Sequence, residues 1–182
     1  MDWMEEAAVR LKKRREILFS KDSVYLQDLR SLLREQNHKV LTLWALDLAA
    51  ESAAALKEKY PQERRPEEAL AAAWDWASGR IKMREAQRKI LDCHAFAKEL
   101  EQKEDIALCH AIGQACAVVH APGHAMGYPI YDLTAILRRL GIKHAAGAVE
   151  QRKQDYIDRL FYWADRSGDP QRRWASFLEQ QP

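Results

Sequence analysis

Residues Lys39 to Tyr60, "KVLTLWALDLAAESAAALKEKY", carry the reading that decides the fold. Val40, Leu43, Trp44 and Leu48 lie in a mostly apolar run that also holds Asp47, and Pro61 follows directly. Proline lacks the backbone N–H and clashes with the carbonyl four residues back, so the stretch predicts a helix over 39–60 that stops there. The whole chain shares this bias. Ala and Leu supply 48 of its 182 residues, whereas Val, Ile and Thr supply 17. Ala and Leu lose little entropy in a helix and β-branched residues lose more. Neither Asn-Gly nor Asp-Gly, the strongest short hairpin signals, occurs. The expectation is an all-α fold: one helical domain over 1–182, a bundle of about eight to nine helices. A chain of this length buries roughly 70% of its unfolded surface.

Outward from that helix the punctuation is clear in places. "YPQERRP" reads as a linker, and Pro66 fits the first helical position, where its missing N–H is no loss. Glu67 and Glu68 then suit the positive end of the helix dipole, Trp76 lies near the end, and Gly79 suits the C-terminal cap. Helices follow over 81–100 and 105–120, the second rich in small residues around Gly113 that let a neighbour approach closely. Leu133, Ile136, Leu137 and Leu140 predict a helix ending at Gly141, and Tyr156, Leu160 and Trp163 predict another over 145–165. Asp169 as N-cap and Pro170 at N1 predict a last short helix. Before the central helix, a first one is expected over 2–19 with Met4, Ala8, Leu11 and Leu18 on its apolar stripe. A second is expected from Asp22 or Ser23, carrying Leu26, Leu29 and Leu33.

Apolar residues make up 47% of the chain and charged residues 31%, the balance of a globular protein. With 29 basic and 27 acidic residues the net charge is +2, so no one-sided field points to nucleic acid as a partner. The run Arg10, Lys12, Lys13, Arg14 and Arg15 reads first as a solvated helix face, with contact to phosphate or a partner as the alternative. Cys93, Cys109 and Cys116 lack C-x-x-C spacing and sit in apolar patterns, which predicts buried reduced thiols. The start "MDWMEEAAVR" carries acids where a signal peptide needs a basic and then apolar run. No stretch approaches 18 apolar residues, so a cytoplasmic location without membrane contact is expected.

"VVHAPGHAMGYPIY", Val118 to Tyr131, is the sharpest candidate for chemistry. On one unbroken helix His120 and His124 would share a face and could reach one ion. Zinc needs further ligands, however, and Ala-Pro-Gly between them supplies no acid of the zincin type. Pro122 also breaks the helix, and the reading makes it N1 of a new one with His124 at N3. No metal and no cofactor is expected. Asp47, Arg65 and His94 are the other polar residues lodged among apolar ones. With His120 and His124 they form a candidate cluster that either pins the helices together or lines a ligand pocket, flanked by Trp44, Trp76 and Tyr131. P-loop, Rossmann, G-x-S-x-G and EF-hand patterns are absent. Cys93 and His94 are neighbours about 100° apart on a helix, so they form no nucleophile–base pair. No catalytic residue is assigned, and a non-catalytic protein is favoured.

The segments "NHKVLTLWALDLAAE", "YPQERRPEEALAAAWDWASGRIKMREAQ", "CHAFAKE", "AIGQACAVVHAPGHAMG" and "IYDLTAI" occur in this order. Together they resemble the Imm-5-like family of bacterial immunity proteins, over about Asn37 to Leu140, with helical extensions on both sides. The resemblance implies an all-α protein that binds and neutralises a cognate toxin. The matching polar and aromatic positions are Trp44, Asp47, Arg65, Trp76, His94, His120, His124 and Tyr131, with Pro66 and Gly79. One departure stands out: the family pattern has Cys after Asp47, where this chain has Leu48, which removes a possible thiol ligand. The alternative is a helical domain binding a small molecule or metal, or an enzyme, through the Asp/Arg/His cluster.

Overall fold

The computed structural model describes residues 2–179, so the outermost positions of the expected 1–182 domain lie outside the described residues. Among the described residues it is all-α: α1 Trp3–Lys12, α2 Gln27–Arg34, α3 His38–Lys59, α4 Arg65–Ala77, α5 Met83–Ala97, α6 Lys103–Ala117, α7 Gly127–Leu140, α8 Ala146–Arg166 and α9 Ser176–Glu179. Short 3-10 turns over 24–26, 122–124 and 142–144 join them.

The central helix forms as expected, one residue earlier at its start. Asn37 caps α3, its side chain accepting from Val40 N–H at 3.0 Å. Thirteen of its 22 residues are buried, because neighbours cover it on several sides. α6 is the second axis. Its Ala, Gly and Cys positions let α3, α4, α5 and α7 pack against it closely. α8 lies across α2, α3 and α7. Pro66 enters the first turn of α4, and Gly79 follows its C-cap at φ 73°, a backbone only glycine adopts without strain. Gly141 closes α7 in the same left-handed region at φ 76°. All three cysteines are buried and free.

Four expectations change. The first helix ends at Lys12, not at 19. Arg14 N–H bonds Leu11 O at 2.9 Å and Arg15 N–H bonds Arg10 O at 3.0 Å, a Schellman cap with Arg14 at φ 54° in the place glycine usually holds. That conformation costs a non-glycine residue about 1 kcal/mol. The buried face is accordingly Trp3 and Ala7, while Ala8 and Leu11 face solvent. Ser23 precedes a 3-10 turn and makes no side-chain cap, so α2 proper begins at Gln27. Pro122 opens a 3-10 turn that already contains His124, and α7 starts only at Gly127. Asp169 and Pro170 make a turn: the Asp169 carboxylate accepts Gln171 N–H at 2.9 Å, two residues on. Beyond the turn, Ala175 N–H bonds Ala77 O at 2.7 Å, and the last helix begins at Ser176.

Candidate functional site

Asp47 is where the expected cluster leads into the largest polar network. α3 presents Asp47, Glu51 and Ser52 on one face, and α7 presents Tyr128 and Asp132 four apart. α8 answers with Arg152, Tyr156, Arg159 and Trp163, a single stripe at helical spacing. Asp47 accepts from Arg159 at 3.2 Å and from the Trp163 indole at 3.0 Å. Glu51 pairs with Arg159 and, at 2.6 Å, with Arg152. Arg152 Nε donates to Asp132 Oδ2 at 2.6 Å and its Nη2 donates to the Tyr128 hydroxyl at 3.1 Å. Tyr156 also donates to Asp132 Oδ2, at 2.6 Å. Tyr128 in turn donates to Leu48 O at 2.8 Å and meets the Ser52 hydroxyl at 2.9 Å.

The heart of this network is buried: the Asp132 side chain is 7% exposed and that of Arg152 14%. Burial, reinforced by the Asp132 charge, pushes the Tyr156 phenol well up, and burial does the same to Tyr128. Both phenols therefore stay protonated and act as donors. Trp44, fully buried, donates its indole N–H to Tyr156 O at 2.8 Å and meets the Tyr156 ring edge-on. Beside the network lies a cavity of about 240 Å³, where Glu51, Ser52, Asp132 and Arg152 face Glu104 and Arg139.

The histidines are held elsewhere. His94 on α5 packs its ring against Gly113 of α6 so closely that a Cβ there would fall 2.4 Å from the imidazole. Its Nδ1 lies 3.0 Å from Nδ1 of His110, and the His110 ring sits 5.3 Å from that of Tyr131. Two facing Nδ1 atoms bond only if one carries a proton and the other a lone pair, so at least one ring is neutral. Burial, and for His94 also the positive charge of His110 and Lys98, lowers both pKa values. One turn further along α6, Gln114 Oε1 lies 3.0 Å from His124 Nδ1. His120 stacks on the buried Trp76 ring at 5.9 Å.

Arg65 forms a third, separate clamp. Its guanidinium donates to both oxygens of Glu63 and both of Glu99 and lies 4.9 Å from the Phe96 ring centre. The Arg65 hydrogen bonds hold the Glu63 carboxyl down at about 2.

Among the described residues, then, no hydrogen bond or ion pair joins any two of Asp47, Arg65, His94, His120 and His124. His94 and His124 do share helix α6, but through His110 and Gln114. The described residues also contain no group of three or more His, Cys, Asp or Glu side chains placed to hold a metal ion. Sequence reasoning missed Tyr128, Asp132, Arg152 and His110, together with Glu51, Ser52, Arg159 and Gln114. Arg152 stands four before Tyr156 on a stripe that reads as apolar from Tyr156, Leu160 and Trp163 alone. An arginine at that spacing was the available signal.

No curated protein and no solved structure matches the chain. A family model does, over residues 31–160, a span that reaches beyond the expected 37–140 at both ends and takes in every residue of the α3–α7–α8 network except Trp163. The chain thus belongs to the family of Imm-5 like putative immunity proteins.

Proposed function

We propose that this protein is a non-catalytic immunity protein that binds a cognate bacterial toxin and neutralises it. The family match over residues 31–160 is the observation that carries the reading. The site geometry supports it. Asp132, Arg152, Tyr128 and Tyr156 are bonded to one another and to the backbone, in an arrangement that fixes three helices in register. Buried charges are tolerated when paired in this way, and their role here is to hold a rigid scaffold. Recognition of the toxin then falls to exposed side chains, as at other protein interfaces. The membrane plays no part in the reading, and no described helix is long and apolar enough to cross one. The test is to purify the product of a candidate toxin gene found beside this chain's gene together with the tagged protein. A complex that survives gel filtration and silences the toxin's activity is expected; separate elution with the toxin fully active would refute the proposal.

A further inference from the structure

We infer that the groove between α1 and residues 20–24 is the docking site for an acidic, apolar-flanked segment of the toxin. The inference rests on the immunity reading and supplies the surface that reading leaves unnamed. The groove has a volume of about 390 Å³ and is lined by Arg10, Lys13 and Arg15, with the exposed Val9 and Val24 between them. Ser23 lines it as well: the residue is 3% exposed, and its buried hydroxyl has no hydrogen-bond partner.

Three features mark the surface as built for contact. First, none of Arg10, Lys12, Lys13, Arg14 and Arg15 has an ion-pair partner within 4 Å among the described residues, whereas Lys57, Lys59, Arg65 and Arg152 elsewhere each have at least one. Second, the basic run is held in place. Arg10 Nε donates to Ile17 O at 2.8 Å, Ser20 N–H to Glu6 at 2.6 Å, and Arg138 Nη2 to the carbonyls of Arg15 and Glu16 at 2.8 and 3.1 Å. A surface already ordered loses little entropy on binding. Third, Arg14 keeps a charged side chain where the Schellman cap favours glycine, so stability does not explain the residue. Protein fits the groove better than nucleic acid. Glu6 and Asp22 also line it, so a partner's acidic groups must meet Lys13 and Arg15, while Val9 and Val24 offer apolar contact that a protein side chain uses and a phosphate backbone does not.

The test uses the full chain, three variants and three probes. The variants are Lys13→Glu with Arg15→Glu, Arg14→Gly, and a control pair, Arg84→Glu with Arg88→Glu, on the exposed face of α5. The probes are the neighbouring toxin, a labelled peptide of alternating Glu and Leu, and a 20-base-pair DNA duplex. The double reversal is expected to weaken toxin affinity about tenfold or more, with salt weakening the wild type similarly. Arg14→Gly should weaken it about threefold while raising the melting midpoint, which separates recognition from folding. The control pair should stay within about twofold. Toxin binding that is intact in the double reversal overturns the groove, as does DNA that binds the wild type more tightly than either other probe. If the wild type ignores the toxin, the immunity reading fails. The groove then stands or falls on the acidic peptide, which must bind the wild type and the α5 control but not the double reversal.

Discussion

At the residue scale the account turns on Arg152. Its guanidinium satisfies Asp132, Glu51 and Tyr128 together, and the first of these is almost wholly buried. Arg152→Ala leaves the Asp132 carboxylate without its cation, so a stability loss of about 3–5 kcal/mol is expected in urea denaturation. Asp47→Ala removes a partner from the more exposed Arg159 and should lose only about 1 kcal/mol. Similar losses for the two would contradict the picture of a buried core grading into a wet edge. The histidine pair gives a pH signature. Both rings have pKa values below the ordinary histidine value of about 6.5. In the interval between the lowered and ordinary values the unfolded chain binds more protons than the fold, so this contribution is present above about pH 6.5 and is lost as pH falls below it. The charged and titratable neighbours are Lys98, Glu16 and Tyr131, besides the rings themselves. His110→Phe should flatten that slope in melting curves taken from pH 7 to 5, and an unchanged slope would show that other groups cause it.

At the element scale, local chemistry decided what could be read in advance. α4 was legible because proline fixes its own φ and glycine alone takes the left-handed backbone without strain, so Pro66 and Gly79 mark the helix ends by themselves. Asp169 and Pro170 misled because the same pair serves a turn when the chain is tied elsewhere afterwards, as the Ala175–Ala77 hydrogen bond ties it. The end of α1 was hidden because nothing in arginine signals a left-handed residue. Asn37 caps α3 although the sequence reading began that helix at Lys39, and Asn37→Ala should destabilise α3 by about 1 kcal/mol in thermal melts. Where α5 crosses α6, Gly113→Ala is expected to force the His94 ring off its seat, with a net loss of about 1–2 kcal/mol. Loss of the Nδ1 coupling between His94 and His110 in NMR spectra would accompany it; a retained coupling would contradict displacement of the ring.

At the scale of the molecule the fold class followed from composition, because an Ala- and Leu-rich chain has few alternatives to packed helices. The candidate site did not follow. Asp132 and Arg152 lie on different helices, and no spacing rule reports that α7 and α8 bring them together. Asp47 was found because an acid in an apolar run is conspicuous, and it led to the network's edge rather than its buried centre. Cys93, Cys109 and Cys116 sit around the shared α6 axis, which supplies a probe of the whole bundle. Their reaction with a thiol reagent should follow the global unfolding rate, and fast reaction of any one would reveal local opening. The central claim is that the bundle is a scaffold for neutralising a toxin. Its most direct measurement is growth of cells carrying, under an inducible promoter, a candidate toxin gene taken from beside this chain's own gene, with and without this chain. Growth restored by the wild-type chain and lost again in the Lys13→Glu, Arg15→Glu variant is the predicted result; cells that stop growing equally with and without the chain would contradict the account.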